Sequence, residues 1–400
     1  MSRPALELAD IFRQHGPAYR ASQPLPTEHL RVMRAIEICR TAALGGHVEQ
    51  CGHCHHQRIA YNSCRNRHCP KCQTMAKEQW LQRRKDELLP IPYFHVVFTI
   101  PPRIADIAPQ NKRTVFQILF RCSAQALLTI AADPEHLGAT IGFFSILHTW
   151  GQNLLFHPHV HCVVTGGGLS PDQECWIASR PGFFLSVKVL SRLFRRLFLE
   201  ALQQAHAEEQ LSFFGALEPL RDNDAFQRYL EPARQAEWVV YAKPPFGNAA
   251  GAVDYLGRYT HRVAISNERL LDCDDQQVTF LHKNYRSDEP QRSRPMRLPA
   301  HEFLRRFLLH VIPPGFQRIR HYGLYSNRYR AQNLARCRVL LIGARSQLLP
   351  AHDQILDKRD AILETAAHCP VCKVGWMRRV LAFSATNQPP TLPVAILDTS

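Results

Sequence analysis

No run of about 18 or more consecutive apolar residues occurs in this 400-residue chain, so no segment reads directly as a membrane-crossing helix. The opening residues, Met1 to Glu7, lack the apolar stretch of a secretory signal and predict a protein that is not exported. There is no internal repeat and no low-complexity tract. A G-x-x-x-x-G-K-[ST] phosphate loop is also missing, and with it the sequence mark of an ATP-driven motor. Acidic residues are scarce: 34 Asp and Glu stand against 49 Lys and Arg, leaving a formal charge of +15. Such a surplus favours a polyanionic partner, with nucleic acid ahead of a membrane surface. The apolar fraction of 45% is that of a globular protein, and the length predicts two or three domains.

Cysteine, in contrast, is plentiful, with 13 residues. In a chain that stays inside the cell these thiols remain reduced. Cys51, Cys54, Cys64, Cys69 and Cys72 fall in one short segment, which points to metal rather than disulfides. Cys51-Gly-His-Cys54 and Cys69-Pro-Lys-Cys72 are two C-x-x-C knuckles, each able to aim two thiolates at one tetrahedral zinc ion. Their spacing predicts one ribbon holding one zinc through all four. Cys39, His47, Cys64 and His68 are then left over for a possible second site. Arg58, Arg65, Arg67 and Lys71 surround these ligands and could face phosphates, or the ribbon could be a purely structural staple.

Periodicity and punctuation place the other elements. Leu30, Met33 and Ile36 have helical spacing after Pro24 and Pro26, and 75–89 reads as a charged helix ended by prolines. Residues 93–100 read as a buried strand, 111–132 as a long helix, 140–149 and 159–165 as strands, and 187–206 as an amphipathic helix. A short strand over 238–243 and a helix over 249–262 follow. The expected class is α+β, with an α/β sandwich on a largely antiparallel sheet.

Two motifs carry the chemistry. In His157-Pro-His-Val-His161, His159 and His161 flank one apolar residue, so on a strand both imidazoles share a face. A short turn joins this strand to one carrying His148, and strand parity puts His148 on the same face. His148 is the first choice for a third metal ligand, with Gln152 as the alternative. The run Gly166 to Gly168 beside the motif would let a substrate backbone approach. In Tyr255-Leu-Gly-Arg-Tyr259, two phenols four residues apart project from one side of a helix, with Arg258 and Arg262 on the same helix. A divalent ion that polarises a phosphate, with tyrosines that attack it, is strand-transfer chemistry. On their own, the tyrosines could equally be rings packed in a core.

With these motifs in this order, the chain resembles the HUH-endonuclease superfamily (His-hydrophobic-His). More closely, it resembles the rolling-circle, two-tyrosine transposases of the insertion-sequence-91 type. The resemblance runs through the segments Cys64 to Gln73, Phe94 to Pro101, His148 to Gly151, His157 to His161 and Gly166 to Gly168, then the paired tyrosines, Glu302 to His310 and Gly315 to Leu324. It implies a zinc-binding domain over 1–90 (zinc segment about 45–75) and an HUH nuclease domain over 91–270. A basic DNA-binding region would cover 271–345, and a partly disordered tail 346–400, in which Cys369-Pro-Val-Cys372 is a lone knuckle, too weak a signal for a second zinc site. It also implies a transposase that nicks and rejoins single-stranded DNA at element ends through a 5′-phosphotyrosine. Tyr255 and Tyr259 would be the nucleophiles, His159 and His161 the ligands of Mg²⁺ or Mn²⁺, and the zinc structural. Host helicase and replication proteins would supply unwinding, in the bacterial cytoplasm at the nucleoid.

The last third is dense in arginine. Between 311 and 345 seven arginines occur without an acidic residue, and Tyr322, Tyr325 and Tyr329 are interleaved. Cations that follow a backbone, with rings on which bases stack, predict a single-strand groove using Arg318, Arg320, Arg328 and Arg330. The competing readings are a plasmid or phage replication initiator with the same chemistry, and a zinc-ribbon DNA-binding protein without catalysis.

Overall fold

The computed structural model describes residues 6–85, 87–243, 251, 263–283, 293–346 and 368–385. The amino-terminal part contains α1 (Leu8–Ser22), α2 (Thr27–Glu37), β1 (Gly46–Cys51), β2 (Gln57–Tyr61) and α3 (Pro70–Lys85). The middle contains β3 (Tyr93–Thr99), α4 (Pro102–Ile107), α5 (Lys112–Ala132), β4 (Thr140–Trp150), β5 (Phe156–Leu169), β6 (Trp176–Ala178), α6 (Val187–Ala207), α7 (Asn223–Gln235) and β7 (Val240–Lys243). Then follow β8 (Leu270–Cys273), β9 (Gln277–Lys283), β10 (Ser293–Pro299), α8 (Ala300–Leu309), β11 (Ile319–Gly323), α9 (Arg330–Ser346) and β12 (Met377–Phe383).

Strands β3, β4 and β5 are rich in β-branched and aromatic residues and are buried almost throughout. They lie at the centre of an antiparallel sheet of order β11-β4-β5-β3-β7, with β6 added to the far end of β5. Both faces are covered, which is why these strands read as near-continuous apolar runs rather than alternating ones. On one face Val96, Phe98, Leu147, Val160 and Val164 pack against Phe116 and Leu119 of α5 and Phe194 and Phe198 of α6. On the other, Tyr93, Phe144, Ile146 and Val163 pack against Leu324, Tyr325, Leu334 and Cys337. Helix α5 has the length and hydropathy of a membrane span, but 67% of that stretch is buried in the fold. It serves as a core helix.

Packing crosses the expected boundaries at both ends. Helices α1 and α2 do not stand alone with the cysteines: Leu8, Phe12, Val32 and Ile36 share a core with Ile265, Phe280, Phe303 and Phe307. Phe12 and Phe307 meet edge to face at 5.4 Å. The region expected as a basic DNA-binding unit instead supplies β11 to the central sheet. Gly323 closes that strand at φ +56, where a Cβ would lie 1.9 Å from the Ile141 carbonyl oxygen. The expected tail is likewise ordered over 368–385, because β12 pairs with β1 to make the three-stranded sheet β12-β1-β2.

Candidate functional site

The β4–β5 hairpin builds the first site. In its register His148 lies opposite His159 and Ile146 opposite His161. Since paired residues point to one side and the side alternates along a strand, His148, His159 and His161 share a face. One ligand nitrogen from each lies within 4.8 Å of the others. His159 Nε2 and His161 Nε2 are 3.0 Å apart. Nitrogens at that spacing subtend about 90° at an ion roughly 2.1 Å from each, the angle between neighbouring octahedral ligands. His159 Nδ1–H donates to the His157 carbonyl at 2.6 Å, which leaves Nε2 with a free lone pair. The His148 ring stacks on Trp150 at 4.7 Å, and that contact fixes its orientation. Burial pushes the His159 imidazole down to about 4 and so holds it neutral, the form that ligates a metal. The backbone carbonyl of Gln152, the alternative ligand, accepts from Arg269 at 2.5 Å.

One residue of this site is not apparent from motif reading. His95 on β3 is buried, and its Nε2 lies 2.8 Å from His161 Nδ1, with the two rings stacked at 5.0 Å. Burial pushes its imidazole down to about 3. The available signal was parity. His95 is the one imidazole of β3, and it shares a face with Val97, which pairs with His161.

The glycine run does not open the site to substrate. Gly166 to Gly168 are buried, and a Cβ on Gly168 would lie 2.3 Å from the Thr140 carbonyl oxygen. These glycines let β4 and β6 approach β5 closely. Tyr255, Arg258, Tyr259 and Arg262 lie outside the described residues. Strand β7 ends at Lys243, which pairs with His95.

The cysteines group differently from the expected single ribbon. Cys69 and Cys72 meet Cys39 and Cys64, while Cys51 and Cys54 meet Cys369 and Cys372. Sulfur separations are 3.6 Å for Cys39–Cys72 and 3.5 Å for Cys64–Cys72. A zinc tetrahedron with Zn–S arms of about 2.3 Å has edges of about 3.8 Å, so the first set fits zinc. Disulfides, with S–S near 2.05 Å, do not fit. Neither candidate histidine joins a cluster. His47 pairs with Glu49 at 3.1 Å, and His68 is buried with its Nε2 3.4 Å from the Ile312 amide. The nearby cations are mostly engaged inside the protein. Arg58 holds Glu49, Lys71 holds Glu7, and Arg67 donates to the Phe316 carbonyl.

The arginine segment also departs from expectation. Pairing of β11 with β4 carries its side chains into the fold. Arg318 is buried, which pushes its guanidinium down to about 10, and Arg320 lies 4.4 Å over the Phe120 ring. Tyr322 stacks on Phe143, and the Tyr325 hydroxyl meets that of Tyr93 at 2.8 Å. Arg330 pairs with Glu87 at 3.5 Å. Arg328 stays exposed, 5.0 Å from the Tyr329 ring. Of the four groove candidates Arg318 is thus buried, Arg320 and Arg330 are half-buried, and Arg328 is exposed, as are Arg336 and Arg338.

Comparison with known proteins gives concordant results. Residues 142–333 match the family described as "Putative transposase", and residues 11–100 match the "Transposase zinc-binding domain". The chain is 57% identical over 396 residues to "Putative transposase y4qJ" of Sinorhizobium fredii, covering 98% of each chain. It is 29% identical over 302 residues to the "Transposase for insertion sequence element IS801" of Pseudomonas savastanoi pv. phaseolicola, covering 74% of this chain and 70% of that one. No solved structure matches significantly.

Proposed function

The chain belongs to the insertion-sequence-91 family of transposases, and from that premise we propose that it nicks and rejoins single-stranded DNA through a metal-assisted phosphotyrosine mechanism. DNA is its partner by family. The observation that carries the proposal is the convergence of three histidines at one end of the β4–β5 hairpin. His148, His159 and His161 would hold a divalent ion there, which would supply a Lewis acid for phosphate charge. The donor set is all imidazole, which suits Mn²⁺ better than Mg²⁺.

The chain's own residues do the rest. The hairpin fixes His148 and His159 as an opposed pair, the His157 carbonyl sets the His159 tautomer, and His95 orients His161. Tyr255 or Tyr259 attacks the phosphorus with its phenol oxygen. The bond to the 3′ oxygen breaks, leaving a 5′-phosphotyrosine and a free 3′-hydroxyl, while the phenol proton passes to solvent or a base. Tyrosine has a pKa near 10, and the positive charge of Arg258, Arg262 and the metal lowers the cost of ionising it. The covalent link retains the phosphodiester free energy, so rejoining needs no nucleotide. Two tyrosines permit one strand to be held while a second is cut. Unwinding falls to host proteins, since the chain has no phosphate loop.

Replication initiation would use the same chemistry. Transposition is favoured because both relatives are named as transposases. The test is incubation of the full chain with end-labelled single-stranded DNA and Mn²⁺, followed by denaturing electrophoresis. A covalent protein–DNA band is expected from the wild type and none from Tyr255→Phe/Tyr259→Phe. An adduct in the double variant would place the nucleophile elsewhere.

A further inference from the structure

We infer that Cys51, Cys54, Cys369 and Cys372 form a second zinc site, a clasp that joins the end of the chain to the amino-terminal ribbon. Half of its ligands come from a segment beyond both family matches, which end at residues 100 and 333. The four sulfurs lie within 4.8 Å of one another, with Cys51–Cys372 at 3.7 Å and Cys54–Cys369 at 3.6 Å. Both separations cross between the knuckles, close to the about 3.8 Å edge of a zinc–thiolate tetrahedron and far from a disulfide.

The two knuckles are also built alike. The residue after each second cysteine, His55 or Lys373, has a left-handed backbone at φ +57 or +58. Its amide donates back to the carbonyl of the first cysteine, His55 to Cys51 at 3.2 Å and Lys373 to Cys369 at 3.0 Å. Amides also point at the sulfurs: His53 and Cys54 at Cys51 Sγ, Gly375 at Cys372 Sγ, at 3.3 to 3.4 Å. Amides aimed at sulfur stabilise thiolate, and repeating one fold of chain at two distant places argues for one shared purpose. Gly375 leaves the space this needs, since a Cβ there would sit 2.5 Å from Cys51 Sγ.

Packing supplies an independent reason. Strands β1 and β12 pair from Gly46–Phe383 to Cys51–Met377, and among the described residues the buried cluster beneath this end is Cys51, Cys369 and Met377, with Cys372 packed against it. A tetrathiolate zinc would stabilise a sheet end whose described apolar core is this small. The site takes zinc, and the clasp makes the sheet dependent on residues separated by more than 300 positions.

The full chain carrying His159→Ala/His161→Ala, in which the imidazole centre cannot contribute, should bind two zinc ions when purified reduced, supplied with excess zinc and desalted, and adding Cys369→Ser/Cys372→Ser should leave one. Alkylation of the native wild type, read by mass spectrometry, decides the matter even if that variant misfolds. Cys51, Cys54, Cys369 and Cys372 should resist labelling until a chelator is added, whereas the exposed Cys175 labels at once. A single zinc in the His159→Ala/His161→Ala chain, or Cys369 and Cys372 labelling as fast as Cys175 with zinc present, would overturn the clasp.

Discussion

The histidine centre and the cysteine clusters gather their ligands over very different lengths of chain. His148, His159 and His161 lie on two strands joined by a short turn, and their meeting follows from strand parity alone. Cys39 and Cys72 are 33 residues apart, Cys54 and Cys369 are 315 apart, and nothing local pairs them. The difference separates roles as well. The histidines sit on a sheet held by its own apolar packing and can be spent on chemistry. The cysteines sit where apolar packing is thin or shared between distant segments, and there metal is part of the fold.

Removing a ligand should therefore have opposite consequences at the two kinds of site. Cys39→Ser is expected to empty the first cluster of zinc and to lower the thermal midpoint by many degrees. Its cysteines lie in the core formed with α1 and α8, and structural zinc contributes on the order of 10 kcal/mol to small modules. His159→Ala should shift the midpoint little. Zinc analysis and melting curves of the two variants make the comparison, and it fails if both melt alike or if Cys39→Ser keeps its zinc.

The same division explains what the sequence made legible. Parity put His148 and His159 on one face, and the apolar runs located β3 and β4 within a residue, while β5 starts three residues earlier and ends four later than expected. A C-x-x-C knuckle, however, says that two thiolates are aimed together and not which other pair they meet. Cys39 lies in the turn after α2, outside any motif, and Cys369-Pro-Val-Cys372 looks solitary until β12 returns to β1. Arginine density was less legible for a related reason. Composition gives charge but not direction, and the pairing of Arg320 with Ser145 carries that stretch into the sheet.

A middle-sized effect is expected at His95, which holds His161 rather than substrate. His95→Ala should weaken Mn²⁺ binding by about 10- to 100-fold, the usual effect of losing a partner behind a metal ligand. The Mn²⁺ concentration for half-maximal cleavage should rise while the rate at saturating Mn²⁺ changes less, and His95→Gln should recover part of the loss. A lower saturating rate with unchanged Mn²⁺ dependence would mean that His95 does not act through the metal.

The smallest effect concerns DNA contact. Arg328 is the exposed member of the expected groove, so Arg328→Ala should make the salt dependence of DNA binding shallower by roughly one unit of slope. Buried Arg318, by contrast, should alter stability when replaced and leave the slope unchanged. If Arg328→Ala leaves the slope as it was, that stretch is scaffold throughout.

The most direct test of the account is a Mn²⁺ titration of single-strand cleavage and of DNA binding by the wild type, His159→Ala and His161→Ala. Cleavage should be lost by at least about 100-fold in both variants at every Mn²⁺ concentration, as uncompensated phosphate charge in the transition state requires, while DNA binding persists. Full cleavage by either variant with metal present would contradict a reacting centre at the β4–β5 hairpin.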